Sequence, residues 1–106
     1  MKNLFNSVTS GKKQSDGAFS VALGKMDLFT RHQIQVEVSA TPTAGTLAVA
    51  VRSPGATDYV TVSGSIDMTS TDLIKIITEF AFVSDIRFTP SGFDADKTYN
   101  VIINSR

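Results

Sequence analysis

The chain has no cysteine. That excludes disulfides, thiolate nucleophiles and cysteine-ligated zinc together. Tryptophan is also missing, and histidine occurs once, at His32. A catalytic triad needs a base held by a third group, and a zinc site without cysteine usually draws on two or three imidazoles. A lone histidine beside Arg31 at the start of a strand pattern reads as a surface residue. Net charge is lacking as well, with ten basic residues against ten acidic ones. The densest basic spot is Lys12-Lys13 in a polar stretch, so a nucleic-acid partner held through many phosphate contacts is not expected. No apolar run approaches the length of a membrane span, and Met1 to Ser7 have one charge and no apolar core of a signal peptide. Dinucleotide, phosphate-loop and nucleophile-elbow motifs are missing, so neither a cofactor nor a small-molecule substrate is expected.

What is present is short-period β patterning. At 106 residues and 11.4 kDa the chain suffices for one domain. Residues 1–17 are polar, with Leu4, Phe5 and Val8 as their apolar members, and read as an N-terminal arm or an edge strand. From 18 to 106 the pattern changes. Phe19, Val21 and Leu23 alternate with small residues up to Gly24. In residues 33–39, Ile34, Val36 and Val38 alternate with Gln33, Gln35, Glu37 and Ser39, the mark of a strand with one buried and one wet face. Leu47, Val49 and Val51 repeat the pattern between a turn at Pro42 to Gly45 and another at Pro54-Gly55. Tyr59 to Ser63, then Ile66 and Met68, continue it. Residues 70–80 carry apolar side chains at helical spacing, but Ile74, Ile76, Ile77 and Thr78 are β-branched, which favours a strand. Strands over 82–89 and 98–104 follow, with a turn at Pro90-Ser91-Gly92. Seven or eight short strands without alternating helices point to an all-β fold, an antiparallel two-sheet β-sandwich or jelly roll.

Few residues invite chemistry. Asp94 and Asp96 lie in a loop and could offer hard oxygens to calcium, but the spacing of a calcium-binding loop is missing and aspartate favours turns in its own right. Asp67, Asp72 and Glu79 have nothing to fix the separation that a glycosidase pair requires. No catalytic and no metal-binding residue is therefore assigned. Phe5, Phe29 and Phe93 fall off the strand phases and, with Leu4 and Val8, form the candidate partner-binding set. A carbohydrate-binding module is the alternative, with exposed aromatics as its platform.

The stretch Gly45 to Ala56, with Ile86-Arg87-Phe88-Thr89-Pro90-Ser91-Gly92 and Thr98-Tyr99-Asn100-Val101, resembles small β-sandwich virion proteins of tailed bacteriophages, including capsid decoration or cement proteins. The likeness runs over roughly residues 34–106. It implies a homo-oligomer located in the virion, reinforcing joints of a shell built by a major capsid protein; a tail or head-completion part is a further possibility of the same class. It carries over no functional residues.

Overall fold

The computed structural model describes residues 5–23, 31–62, 64–69, 74–77 and 83–106. Among them are the strands β1 (Phe5–Lys12), β2 (Phe19–Ala22), β3 (His32–Val38), β4 (Thr46–Arg52), β5 (Val60–Thr61), β6 (Ile66–Asp67), β7 (Ile74–Ile77), β8 (Asp85–Ser91) and β9 (Tyr99–Ser105). A four-stranded sheet has the order β1-β9-β3-β7, and a five-stranded sheet has the order β2-β8-β4-β5, with β6 also on β4. Every pairing is antiparallel. β5 and β6 both lie against the side of β4 that β8 leaves free, and the register slips between Ala50↔Thr61 and Thr46↔Asp67. They act as one strand broken near Gly64, and counted so the two sheets have the strand order of a jelly roll.

The alternation decides which side chains meet between the sheets. Ile34 and Val36 of β3, Leu47, Val49 and Val51 of β4, Ile86 and Phe88 of β8, and Val101 and Ile103 of β9 form one buried cluster. His32 has the parity of Ile34, so it points inward too: it is fully buried, with Nδ1 2.7 Å from the Ser105 hydroxyl of β9. The surface placement expected for it is thus corrected. Aromatic rings close one end of the core. Tyr99 stands edge-on to Phe93 at 5.3 Å between centroids, and Phe19 packs against Phe88 at 5.3 Å.

Pro90 departs from the expected turn and sits inside β8, opposite Leu47. A proline inside a sheet is tolerated where its missing N–H faces no partner strand. Here β2 stops at the Phe19↔Phe88 pair, short of Pro90. Gln14 stands in for the absent strand: its Nε2 donates to the Pro90 carbonyl at 3.1 Å, and its Oε1 accepts from the Phe93 N–H at 2.9 Å. In the segment 70–80, residues 74–77 are β, paired with β3; 70–73 and 78–80 lie outside the described residues.

Candidate functional site: the outer face of the four-stranded sheet

Residues of opposite parity to the core define the outer face of the four-stranded sheet. The register sets them in rows: Asn6 opposite Asn104 opposite Gln33, then Val8 opposite Ile102 opposite Gln35, then Asn100 opposite Glu37. Beyond the last ladder pair, Arg31 and Arg106 are joined by two reciprocal backbone hydrogen bonds of 2.9 Å. Hydrogen-bonded partners in an antiparallel pair project to the same side, so both arginine side chains leave the sheet on one face at this end. An open groove of about 520 Å³ lies there, lined by Arg31, Arg106, Asn6, Gln33 and Asn104, with Phe5 and Ser105 at its base. Asn6 Nδ2 donates to Asn104 Oδ1 at 2.9 Å, which orients both amides. Among the described residues no aspartate or glutamate side chain lies within ion-pairing distance of Arg31 or Arg106. Glu37, on the same face, is six residues along β3, about 20 Å away at strand spacing.

The outer face of the five-stranded sheet is organised differently. Asp85 accepts from Arg52 Nε at 3.0 Å and Nη2 at 2.6 Å, from the Tyr59 hydroxyl at 3.0 Å and from the Ser84 hydroxyl at 2.6 Å. Burial pushes its carboxyl up, but the bonds from Ser84, Arg52 and Tyr59 outweigh that and hold it below the ordinary value. The guanidinium groups of Arg87 and Arg52 lie 4.3 and 4.9 Å from the centre of the Tyr59 ring, inside the range of cation–π attraction. Arg87 Nε is buried without a hydrogen-bond acceptor.

The candidate residues scatter. Leu4 and Phe29 lie outside the described residues. Phe5 is half-buried, packs against the core and reaches the groove, while Val8 on the same strand is 57% exposed on the outer face. Phe93 is not available to a partner. It is 4% exposed, held against Tyr99, and its burial rests on Gly45, where a Cβ would come within 3.0 Å of the Phe93 backbone and ring. Asp94 is likewise committed to the fold. Its carboxylate accepts from the Thr43 N–H at 3.0 Å, the Thr43 hydroxyl at 3.0 Å and the Ala44 N–H at 3.2 Å, and pairs with Lys97 at 3.1 Å. The Thr43 backbone bond first, then Lys97, the Thr43 hydroxyl and Ala44, hold it at about 2 against the opposing effect of burial. Asp67 caps its own turn by accepting from Thr69. Of the groove residues Phe5 alone was singled out from sequence; the arginines and amides were not. Only their alternation was visible; the pairing that collects them was not.

No family model matches the sequence, and no curated protein resembles it significantly in sequence. Solved structures do share the fold. The SPBc2 prophage-derived protein YomS superposes with a TM-score of 0.59 at 13% identity, over 99% of this chain and 97% of that one. The family 32 carbohydrate-binding module of NanJ from C. perfringens, solved with galactose, gives 0.56 at 15% identity over 95% and 93%. A chitosan-binding module of a chitosanase/glucanase from Paenibacillus sp. IK-5 gives 0.57 at 16% over 99% and 94%. At such identities the likeness is one of fold: a β-sandwich that occurs both in a prophage-derived protein and in carbohydrate-binding modules.

Proposed function

We propose that the chain is a non-enzymatic structural subunit of a bacteriophage particle, a capsid decoration subunit that associates with copies of itself and with the major capsid protein. The observation that carries this reading is the end-to-end match to a prophage-derived protein, which consists of little besides this same fold. The body of the molecule suits the role. β1 forms one edge of its sheet, with β9 as its partner among the described residues, and it carries a single charged residue, Lys12, at its end. An open strand edge of this kind can add a strand from a neighbouring subunit, and Val8 gives such a contact an apolar centre. The test is purification of assembled particles followed by quantitative mass spectrometry. The expected result is this chain at a fixed ratio to the major capsid protein. Particles without it overturn the reading.

A second reading, a carbohydrate-binding module, is favoured by one specific observation: the groove combines amide side chains with an aromatic edge on a fold shared with modules that bind sugars. A glycan array decides it, with binding lost on replacing groove residues.

A further inference from the structure

We infer that β1 is the joint between two copies of this chain: the β1 strands of two molecules pair antiparallel about a two-fold axis at Val8, joining two four-stranded sheets into one. The inference rests on the self-association in the proposed function and adds to it the strand, the register and the residue on the axis.

The ladder settles which backbone groups of β1 are unused. Arg31 and Arg106 exchange two backbone bonds of 2.9 Å, and at the other end of the same ladder the Ser39 N–H donates to the Thr98 carbonyl at 3.0 Å. Bonded pairs alternate along an antiparallel ladder, so Asn104, Ile102 and Asn100 of β9 bond to β3. Ser105, Ile103 and Val101 therefore turn to β1, where they meet Phe5, Ser7 and Thr9. Asn6 and Val8 lie between these and direct N–H and C=O away from β9. Among the described residues no strand pairs with that side of β1.

Both edges of the five-stranded sheet are blunted against pairing, by shortness and by interruption. β2 is four residues long, and the opposite edge is broken into β5 and β6 of two residues each. β1 is eight residues long, has no proline and keeps its one charge, Lys12, at the end. Its register shifts only between Thr9 and Lys12, where Gly11 donates its N–H to Asn100 Oδ1 at 3.0 Å. The regular part is nearly palindromic in character about Val8, with Ser7 and Thr9 next to it and Asn6 and Ser10 beyond them. Pairing it with a second copy sets Val8 against Val8, Ser7 against Thr9 and Asn6 against Ser10. Val8 is 57% exposed, so two such side chains cover each other on the axis. Amide meets hydroxyl at the flanking pairs, and no like charges face each other. Such a contact uses the same surface on both copies and closes as a dimer. Main-chain bonds hold it, as in other strand additions.

The test is analytical ultracentrifugation of the full chain and of variants at Val8. The expected result for the natural chain is a monomer–dimer equilibrium with a Kd on the order of 100 μM or below. Val8→Pro deletes an N–H that points away from β9, which an edge strand tolerates. It should be monomeric while the NMR spectrum of the five-stranded sheet is kept. Val8→Lys and Val8→Glu each set like charges together on the axis and should be monomeric alone; mixed, they should dimerise again, because opposite charges then meet. A natural chain that is monomeric at about 1 mM, or any single variant that dimerises as the natural chain does, overturns the proposal. Should Val8→Pro fail to fold, the mixture decides: if it stays monomeric, the register and the proposal fall. A monomer in solution leaves the particle assignment to its copy number in purified particles, and absence from particles leaves the dimer measurement intact.

Discussion

The two outer faces of the sandwich carry similar numbers of charges and use them in opposite ways. On the five-stranded sheet one carboxylate, Asp85, gathers Arg52, Tyr59 and Ser84, and the Tyr59 ring lies under two guanidinium groups. That face satisfies its carboxylate, with Arg87 Nε left buried without an acceptor. On the four-stranded sheet the amides are partly paired, while Arg31 and Arg106 stand opposite each other at the open end. The difference teaches where to look for stability and where to look for binding. A closed network holds the fold and has little left to offer a ligand; an open one contributes little to the fold and keeps its donors available.

The comparison can be broken most severely at its edge. Deleting residues 1–12 removes β1 and the Phe5 contact with the core. The expected loss is most of the domain's stability, of the order of 5 kcal/mol, read as collapse of the thermal transition. A truncated chain with an unchanged midpoint would mean that the segment is an arm and that the four-stranded sheet stands on three strands.

Next in size is Asp85→Asn. It weakens the acceptor for three partners at once, at an expected cost of about 2 kcal/mol in urea denaturation. A shift no larger than that of Glu37→Gln, expected within about half a kcal/mol, would erase the distinction between the two faces.

Acid offers a route to the same distinction without mutation. Asp85 and Asp94 both have carboxyl groups lowered by folding, Asp94 to about 2. On acidification the unfolded chain takes up these protons first, so the stability they supply is complete above the ordinary carboxylate value. It falls as pH drops from about 4 toward 2. Thermal midpoints measured across that window should decline with pH, and Asp94→Asn should flatten the decline. An equally steep decline in the variant removes Asp94 as its source.

The smallest effect is a gain. The Tyr99 hydroxyl is buried without a hydrogen-bond partner, and burial pushes its pKa up to about 12. Tyr99→Phe removes a desolvated polar group and should stabilise the protein by up to about 1 kcal/mol. A loss of stability on that change would reveal a partner for the hydroxyl.

The strands were the legible part of the sequence, because a period of two survives without knowledge of partners. Residues 33–39 and 46–52 carry their inner and outer faces in plain view. His32 was legible as well, since it shares the parity of Ile34; reading it by its neighbour Arg31 instead gave the wrong side. Phe93 was not legible. It belongs to a loop without phase, and its burial depends on a close approach by Gly45, far away in sequence. The groove is a product of register: Asn6, Gln33 and Asn104 become one row only after β9 settles between β1 and β3. Sequence parity says that each faces outward, and nothing local says that they meet.

That placement of β9 has a kinetic side. In both sheets an interior strand is a late one: β9 lies between β1 and β3, and β8 between β2 and β4. As the chain leaves the ribosome, neither sheet can close until its last member emerges, and the early strands must wait with unpaired edges. Contacts so distant in sequence make for slow folding, and waiting edges are sites of wrong association. Folding is therefore expected to wait until residues 99–105 have emerged, with chaperone dependence at high expression. A stalled product ending before residue 99 should be recovered as aggregate, with no partial sandwich in the soluble fraction.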